Sequence, residues 1–133
     1  MPVVLVIDDE ELVRLMLRQL LERHGLDVIE AQDGEEGLRL FRSRPVDLVI
    51  CDLIMPRADG IGTIMNIRRV APKAKIIAIS VGGRSHALEL LKVAEQMGAD
   101  HVLGKPFTRD QLLTVVTQCL PGYSPGNAAP GSR

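Results

Sequence analysis

The stretch "DLVICDLIMPRADG", Asp47 to Gly60, decides how this chain is read. Leu48, Val49, Ile50 and Cys51 form an unbroken apolar run. Such a run suits a strand buried on both faces, as in a parallel sheet covered by helices. Asp52 follows at once, and Leu53, Ile54 and Met55 come after it. A carboxylate amid apolar residues is costly to bury unless something pairs with it. The position makes sense if the strand stops at Asp52 and the acid emerges at the edge of the sheet.

Working outward, strand and helix signals alternate. "VVLVI" (Val3–Ile7) is a buried-strand run, and "DVIEA" (Asp27–Ala31), "KIIAIS" (Lys75–Ser80) and the weaker "HVLGK" (His101–Lys105) are the other strands. Between them lie helical segments. The first, "EELVRLMLRQLLERHG", samples helical spacing at Leu12, Leu15, Met16, Gln19 and Leu20, with Gly25 as a C-terminal stop. The second opens at Asp33, three residues before Glu36, the spacing of a capping box. The third, "GIGTIMNIRRVAP", ends at Pro72 and offers Ile61, Ile64, Met65 and Ile67 as inner positions. The fourth, "SHALELLKVAEQMG", ends at Gly98. The fifth, "TRDQLLTVVTQCL", starts with Thr108 and Gln111 spaced as a capping box. Five strands alternating with five helices predict an α/β domain, a doubly wound parallel sheet with helices on both faces. Right-handed crossovers are expected. Residues 1–120 form this domain. The remainder, "PGYSPGNAAPGSR" (121–133), is rich in Pro, Gly and Ser and reads as a flexible tail or the start of a linker.

Composition narrows the function classes. The 133 residues are 46% hydrophobic and 25% charged, enough for one domain with a real core. Aromatics make up only 2%, so the core must be aliphatic. A net charge of -1 gives no electrostatic case for nucleic acid or an anionic membrane. No apolar stretch is long enough to span a bilayer, and "MPVVLVIDDEE" reads as a strand, not a signal peptide, so a cytoplasmic location is expected. Cys51 and Cys119 are far apart in apolar contexts, which favours buried free thiols over a disulfide or zinc site.

In a doubly wound sheet, ligands bind at the carboxyl ends of the strands. The first strand ends in Asp8 and Asp9, the third in Asp52, the fourth in Ser80, and the fifth in Lys105, followed by Pro106. The second ends in Ala31 and Gln32, with nothing comparable. Three clustered carboxylates repel one another, and a hard divalent cation such as Mg²⁺ relieves that repulsion while bridging carboxylates to a phosphate. Lys105 can pair with Asp52 in the empty site and with a phosphoryl oxygen in the filled one. Ser80 can donate to another phosphoryl oxygen. One carboxylate is then left as an in-line nucleophile.

The Asp8–Asp9 pair, Asp52 within "DLIMPRADG", Ser80 and "KPF" at Lys105–Phe107 together resemble the receiver domain of two-component response regulators, over Val3 to Leu120. The resemblance implies a flavodoxin-like fold with sheet order 2-1-3-4-5. It implies that Asp52 is the phosphoacceptor and that Asp9 ligates Mg²⁺ directly. Asp8 would hold metal-bound water, and the backbone carbonyl of Ile54 would be a further ligand beside Asp52. Ser80 matches the switch hydroxyl and Lys105 the phosphate-pairing lysine, aimed by a cis bond to Pro106. Pro56 and Gly60 match the loop after the phosphorylation site. The implied donor is the phosphohistidine of a sensor histidine kinase or histidine phosphotransfer protein, and the implied output is contact with a downstream protein. Dimerisation on phosphorylation is a further partner state consistent with the resemblance.

Three departures from the family pattern stand out. Val102 occupies the position, three before the lysine, where an aromatic is usual. Ile54 and Gly82 replace residues able to orient water, which predicts slow autodephosphorylation. The stretch from Ser80 to Gly98 is a few residues longer than usual, and Gly82 and Gly83 make it permissive. Blander readings apply elsewhere. Arg68 and Arg69 suit a solvated helix face, His101 an exposed ring, and His24 the negative end of a helix dipole; His86 lacks companions for a metal. Two competing functions remain. One is a receiver-like module that binds a partner without phosphorylation. The other is an aspartyl phosphohydrolase, which usually keeps a second Asp two residues after the nucleophile, where Ile54 stands here.

Overall fold

The apolar runs at Val3–Ile7 (β1), Asp27–Ala31 (β2), Leu48–Asp52 (β3), Ile76–Val81 (β4) and His101–Lys105 (β5) all become strands, each within a residue of its expected bounds. The structure is a computed structural model and describes residues 1–53, 60–81 and 85–124; the side chains of residues 81, 85–88, 90 and 91 lie outside the description. The five strands are parallel in the order β2-β1-β3-β4-β5, a flavodoxin-like sheet. The helices are α1 (Glu11–Arg23), α2 (Gly34–Ser43), α3 (Gly60–Val70), α4 (Ser85–Met97) and α5 (Arg109–Cys119).

Strand alternation divides the core into two layers, because successive side chains leave opposite faces of a sheet. Val4, Val6, Leu48, Ile50, Ile77 and Ile79 pack with Leu17 and Leu21 of α1 and with Leu112 and Val116 of α5. Leu5, Ile7, Val49, Cys51, Ile76 and Ala78 pack on the other side with Ile64 and Ile67 of α3 and Ala94 of α4. β3, central in the sheet, is buried along its whole length, as its uninterrupted apolar run requires.

Local signals place the helix ends. Asp33 accepts from the Glu36 amide at 2.8 Å, and the Glu36 carboxylate accepts from the amide of Gln32. Thr108 and Gln111 form a reciprocal capping box. Gly25, just after α1, takes φ +87°, a left-handed conformation that glycine adopts without strain.

Two helix faces differ from expectation. In α1, Leu12, Leu15 and Met16 are exposed, and the inner face is Val13, Leu17, Leu20 and Leu21. The helix carries apolar residues nearly all round, so periodicity cannot choose the face; docking of α1 against β1 and β2 does. In α3, Ile64 and Ile67 are buried and Ile61 packs at the margin, but Met65 is exposed. Arg68 is not on a solvated face either. Its guanidinium donates to the carbonyls of Pro72, Ala74 and Gly98 and pairs with Asp100 at 2.9 Å, tying α3 to the turns before β4 and β5. Arg69 is exposed.

Both cysteines are buried thiols outside any disulfide. Burial, reinforced by Asp100, pushes the Cys119 thiol up to about 11. His24 is buried, with Nδ1 2.9 Å from the Leu20 carbonyl. His101 is half-buried. Beyond α5, Tyr123 packs against the α1/α5 layer, and its hydroxyl donates to the His24 carbonyl at 2.7 Å. Its side chain is thereby fixed against the end of α1.

Candidate functional site

The sheet register brings the carboxyl ends of β1, β3, β4 and β5 side by side. Asp8, Asp9 and Asp52 offer carboxylate oxygens that all lie within 4.8 Å of one another. Asp8 and Asp52 are buried, while Asp9 is exposed. Lys105 reaches over from β5, its Nζ 3.3 Å from an Asp8 oxygen and 3.7 Å from an Asp52 oxygen. Lys105 thus pairs with both acids rather than with Asp52 alone, and lies nearer to Asp8. The Lys105–Pro106 peptide is cis, as the family pattern implies.

Asp8 is held at every polar atom. Its amide donates to the Ala31 carbonyl at 3.1 Å. Its Oδ1 accepts from the Glu10 amide at 2.9 Å and its Oδ2 from Lys105. Its carbonyl accepts from Arg14 Nη1 at 2.7 Å. Arg14 in turn pairs with Glu30 of β2 at 3.0 Å. Neither Arg14 nor Glu30 declares itself in the sequence, because isolated charges on a helix and an edge strand look like solvated surface.

Ser80 is fully buried at the end of β4, and its Oγ has no hydrogen-bond partner among the described residues. A buried hydroxyl left unpaired costs free energy, and this one is free to donate to an acceptor that enters the site. Gly60 opens α3 against the backbone that follows Asp52; a Cβ there would lie 2.4 Å from the Asp52 carbonyl oxygen. Only glycine allows α3 to come this close. Ile54, Pro56, Gly82 and Gly83 lie outside the described residues. Val102, in place of the usual aromatic, packs in the α3/α4 layer.

Chemically, three hard oxygen donors facing one ammonium suit a divalent cation, and the excess negative charge favours one. The ammonium and the unpaired hydroxyl suit the oxygens of a phosphoryl group.

Below this edge, Val13, Met16, Lys105, Pro106 and Phe107 line an apolar groove of about 350 Å³. Leu12 and Leu15, the sequence neighbours of Val13 and Met16 on α1, are also exposed. Among the described residues, no helix is long and apolar enough to cross a membrane.

Comparison with known proteins agrees with this geometry. The family model described as the response regulator receiver domain matches residues 4–117. The chain is 30% identical over 118 residues to the chemotaxis protein CheY of Bacillus subtilis (strain 168), covering 88% of this chain and 96% of that protein. It is 36% identical over 117 residues to a probable chemotaxis protein CheY of Rhizobium etli, covering 85% and 88%. Among solved structures, it superposes with a TM-score of 0.80 on the response regulator TrrA of Thermotoga maritima, determined in complex with Mg²⁺-BeF, at 34% identity over 90% of this chain and 100% of that one.

Proposed function

This chain belongs to the response regulator receiver domain family, and from that premise we propose that it accepts a phosphoryl group on Asp52. The donor is the phosphohistidine of a sensor histidine kinase or histidine phosphotransfer protein. The observation that carries the reading is the convergence of Asp8, Asp9, Asp52 and Lys105 on one sheet edge, with the unpaired Ser80 hydroxyl at the neighbouring strand end. The Mg²⁺-BeF bound by the relative TrrA is consistent with it.

Asp9, Asp52 and the backbone carbonyl of Ile54 would hold Mg²⁺, with Asp8 acting through metal-bound water. When bound, the ion neutralises charge on the phosphoryl oxygens. In the transfer, the bond between phosphorus and the imidazole nitrogen breaks, and its electron pair stays on nitrogen. A new bond joins phosphorus to an Asp52 carboxylate oxygen. Lys105 leaves its pairing with Asp8 and Asp52 for a phosphoryl oxygen. Ser80 donates its hydroxyl to another, which biases a pre-existing two-state equilibrium of the adjoining chain. Water later cleaves the acyl phosphate, releasing inorganic phosphate and restoring the carboxylate. The exposed Leu12, Leu15 and Met16, with the groove that reaches Lys105, give the donor protein an apolar footing beside the acceptor. The output is an altered surface for a downstream protein in the cytoplasm, without turnover of an external substrate.

The test is exposure to acetyl phosphate with Mg²⁺, followed by intact mass spectrometry. Gain of one phosphoryl group by the wild type, and none by Asp52→Asn, is expected. Beryllofluoride with Mg²⁺ should shift amide resonances around Ser80 in the wild type alone. Absence of any Asp52-dependent response overturns the reading in favour of a protein-binding module that works without phosphorylation.

A further inference from the structure

We propose that Arg14 is a positioning residue for the acidic cluster: it fixes the Asp8–Asp9 peptide so that the two carboxylates hold a divalent cation. The inference rests on the phosphoacceptor reading above and adds a residue to it.

The argument begins with where the guanidinium sits. Arg14 occupies the first turns of α1, yet its side chain is only 14% exposed. Nη1 donates to the Asp8 carbonyl at 2.7 Å, while Nε donates to Glu30 Oε1 at 3.0 Å. The Asp8 carbonyl belongs to the same planar peptide as the Asp9 nitrogen. Holding that oxygen therefore sets the orientation of the unit carrying both acids. The hold is itself braced. Glu30 lies on β2 in register with Val6 of β1, and its second oxygen accepts from Arg18 at 2.6 Å. Arg18 is fixed further by the Val28 carbonyl and Glu22. β2 thus contributes to the site through a chain of charges, although its own end carries no acid.

Such bracing is needed because Asp9 is exposed and Asp8 and Asp52 are crowded. Carboxylates that repel one another move apart unless the backbone beneath them is restrained. A planar two-pronged donor can satisfy the carbonyl and Glu30 together; the single ammonium of a lysine cannot span both with the same geometry. Residues that orient metal ligands without touching the metal change affinity by about 10- to 100-fold when removed.

The experiment measures Mg²⁺ binding by isothermal titration calorimetry and the unfolding midpoint in chelator, on the full chain, for wild type, Arg14→Ala, Arg14→Lys and Arg18→Ala. Arg18 shares Glu30 but does not touch Asp8, so it separates bracing of Glu30 from the direct hold on the Asp8 carbonyl. Arg14→Ala should weaken Mg²⁺ affinity by about tenfold or more. Arg14→Lys should recover most of the midpoint but not the affinity. Arg18→Ala should lower the midpoint and weaken the affinity clearly less than Arg14→Ala does, because it loosens Glu30 without freeing the Asp8 carbonyl. Wild-type binding with equal affinity in both Arg14 variants overturns the inference alone, as does an Arg18→Ala loss as large as that of Arg14→Ala. Failure of the wild type to bind Mg²⁺ overturns the underlying reading and the inference with it.

Discussion

Replacing Gly60 with alanine should damage both the fold and the acceptor site. The added Cβ would lie 2.4 Å from the Asp52 carbonyl oxygen, 2.5 Å from Leu53 Cα and 2.9 Å from Leu53 C. Ordinary contacts begin near 3.4 Å, so roughly 1 Å of movement is required. Neither side yields easily. The Leu53 amide donates to the Ile79 carbonyl at 2.9 Å, which pins the end of β3 to β4. On the other side, α3 is held by buried Thr63, Ile64 and Ile67. Forcing extra volume into a packed site costs about 1–3 kcal/mol, while the better helix propensity of alanine returns at most about 1. A net loss of about 1–2 kcal/mol corresponds to a midpoint drop of roughly 4–10 °C for a chain of this size. Urea unfolding followed by far-ultraviolet circular dichroism should show a lower midpoint with an unchanged slope. Because the movement falls on the backbone of Asp52 itself, the rate of phosphoryl acceptance from acetyl phosphate should fall by about 10- to 100-fold in the folded variant. A variant as stable as wild type and phosphorylated at the same rate would refute the close-approach argument.

Lys105→Met removes the cation shared by Asp8 and Asp52, both buried. In chelator it should destabilise the protein by about 2 kcal/mol, with part of the loss recovered at saturating Mg²⁺; equal stability to wild type in chelator would show that the lysine does not balance the acids. Ile54→Asn should speed loss of the phosphoryl group, measured by mass spectrometry after removing the donor; an unchanged lifetime would mean that this position does not govern access of water. Cys119 gives a pH signature. Its folded thiol keeps its proton to about 11, whereas an unburied thiol ordinarily titrates near 9.0, so the unfolded state binds fewer protons between those values. Stability should therefore fall as pH rises through that window, by about 1 kcal/mol per unit. Cys119→Ala should flatten that slope in denaturant titrations at pH 9 and 10.5, and an identical slope in both proteins would count against a buried thiol.

The parts of this molecule that could be read from the sequence are those fixed by strong, one-directional physics. An apolar run that meets an acid, as at Ile50–Cys51–Asp52, allows little besides a buried strand emerging at an edge. The strand ends therefore placed Asp8, Asp9, Ser80 and Lys105 as well. The caps at Asp33 and Thr108 were equally legible, because their chemistry is local. What escaped reading depends on how elements dock. The inner face of α1 is set by Val13, Leu17 and Leu21, although Leu12, Leu15 and Met16 offer equal hydrophobicity. Turning the helix that way is also what allows Arg14 and Arg18 to reach Glu30. Arg68 looks like half of an exposed pair until the turns around it show four acceptors. The preference of Lys105 for Asp8 over Asp52 is a matter of a few tenths of an ångström, which spacing along the chain cannot encode.

The two-layered core gives the candidate site an asymmetry. Asp8 follows the alternation of Val4 and Val6, Asp52 that of Leu48 and Ile50, and Lys105 that of Leu103; all belong to the layer of α1 and α5. Ser80 follows Ile76 and Ala78 and belongs to the layer of α3 and α4. The sheet is thus a partition with Asp8, Asp52 and Lys105 rooted on one side and the Ser80 hydroxyl on the other. A ligand that grips both Lys105 and Ser80 becomes a rivet through that partition. Loss of the hydroxyl, as in Ser80→Ala, would leave chemistry on the acidic side intact while uncoupling it mechanically from the opposite compartment.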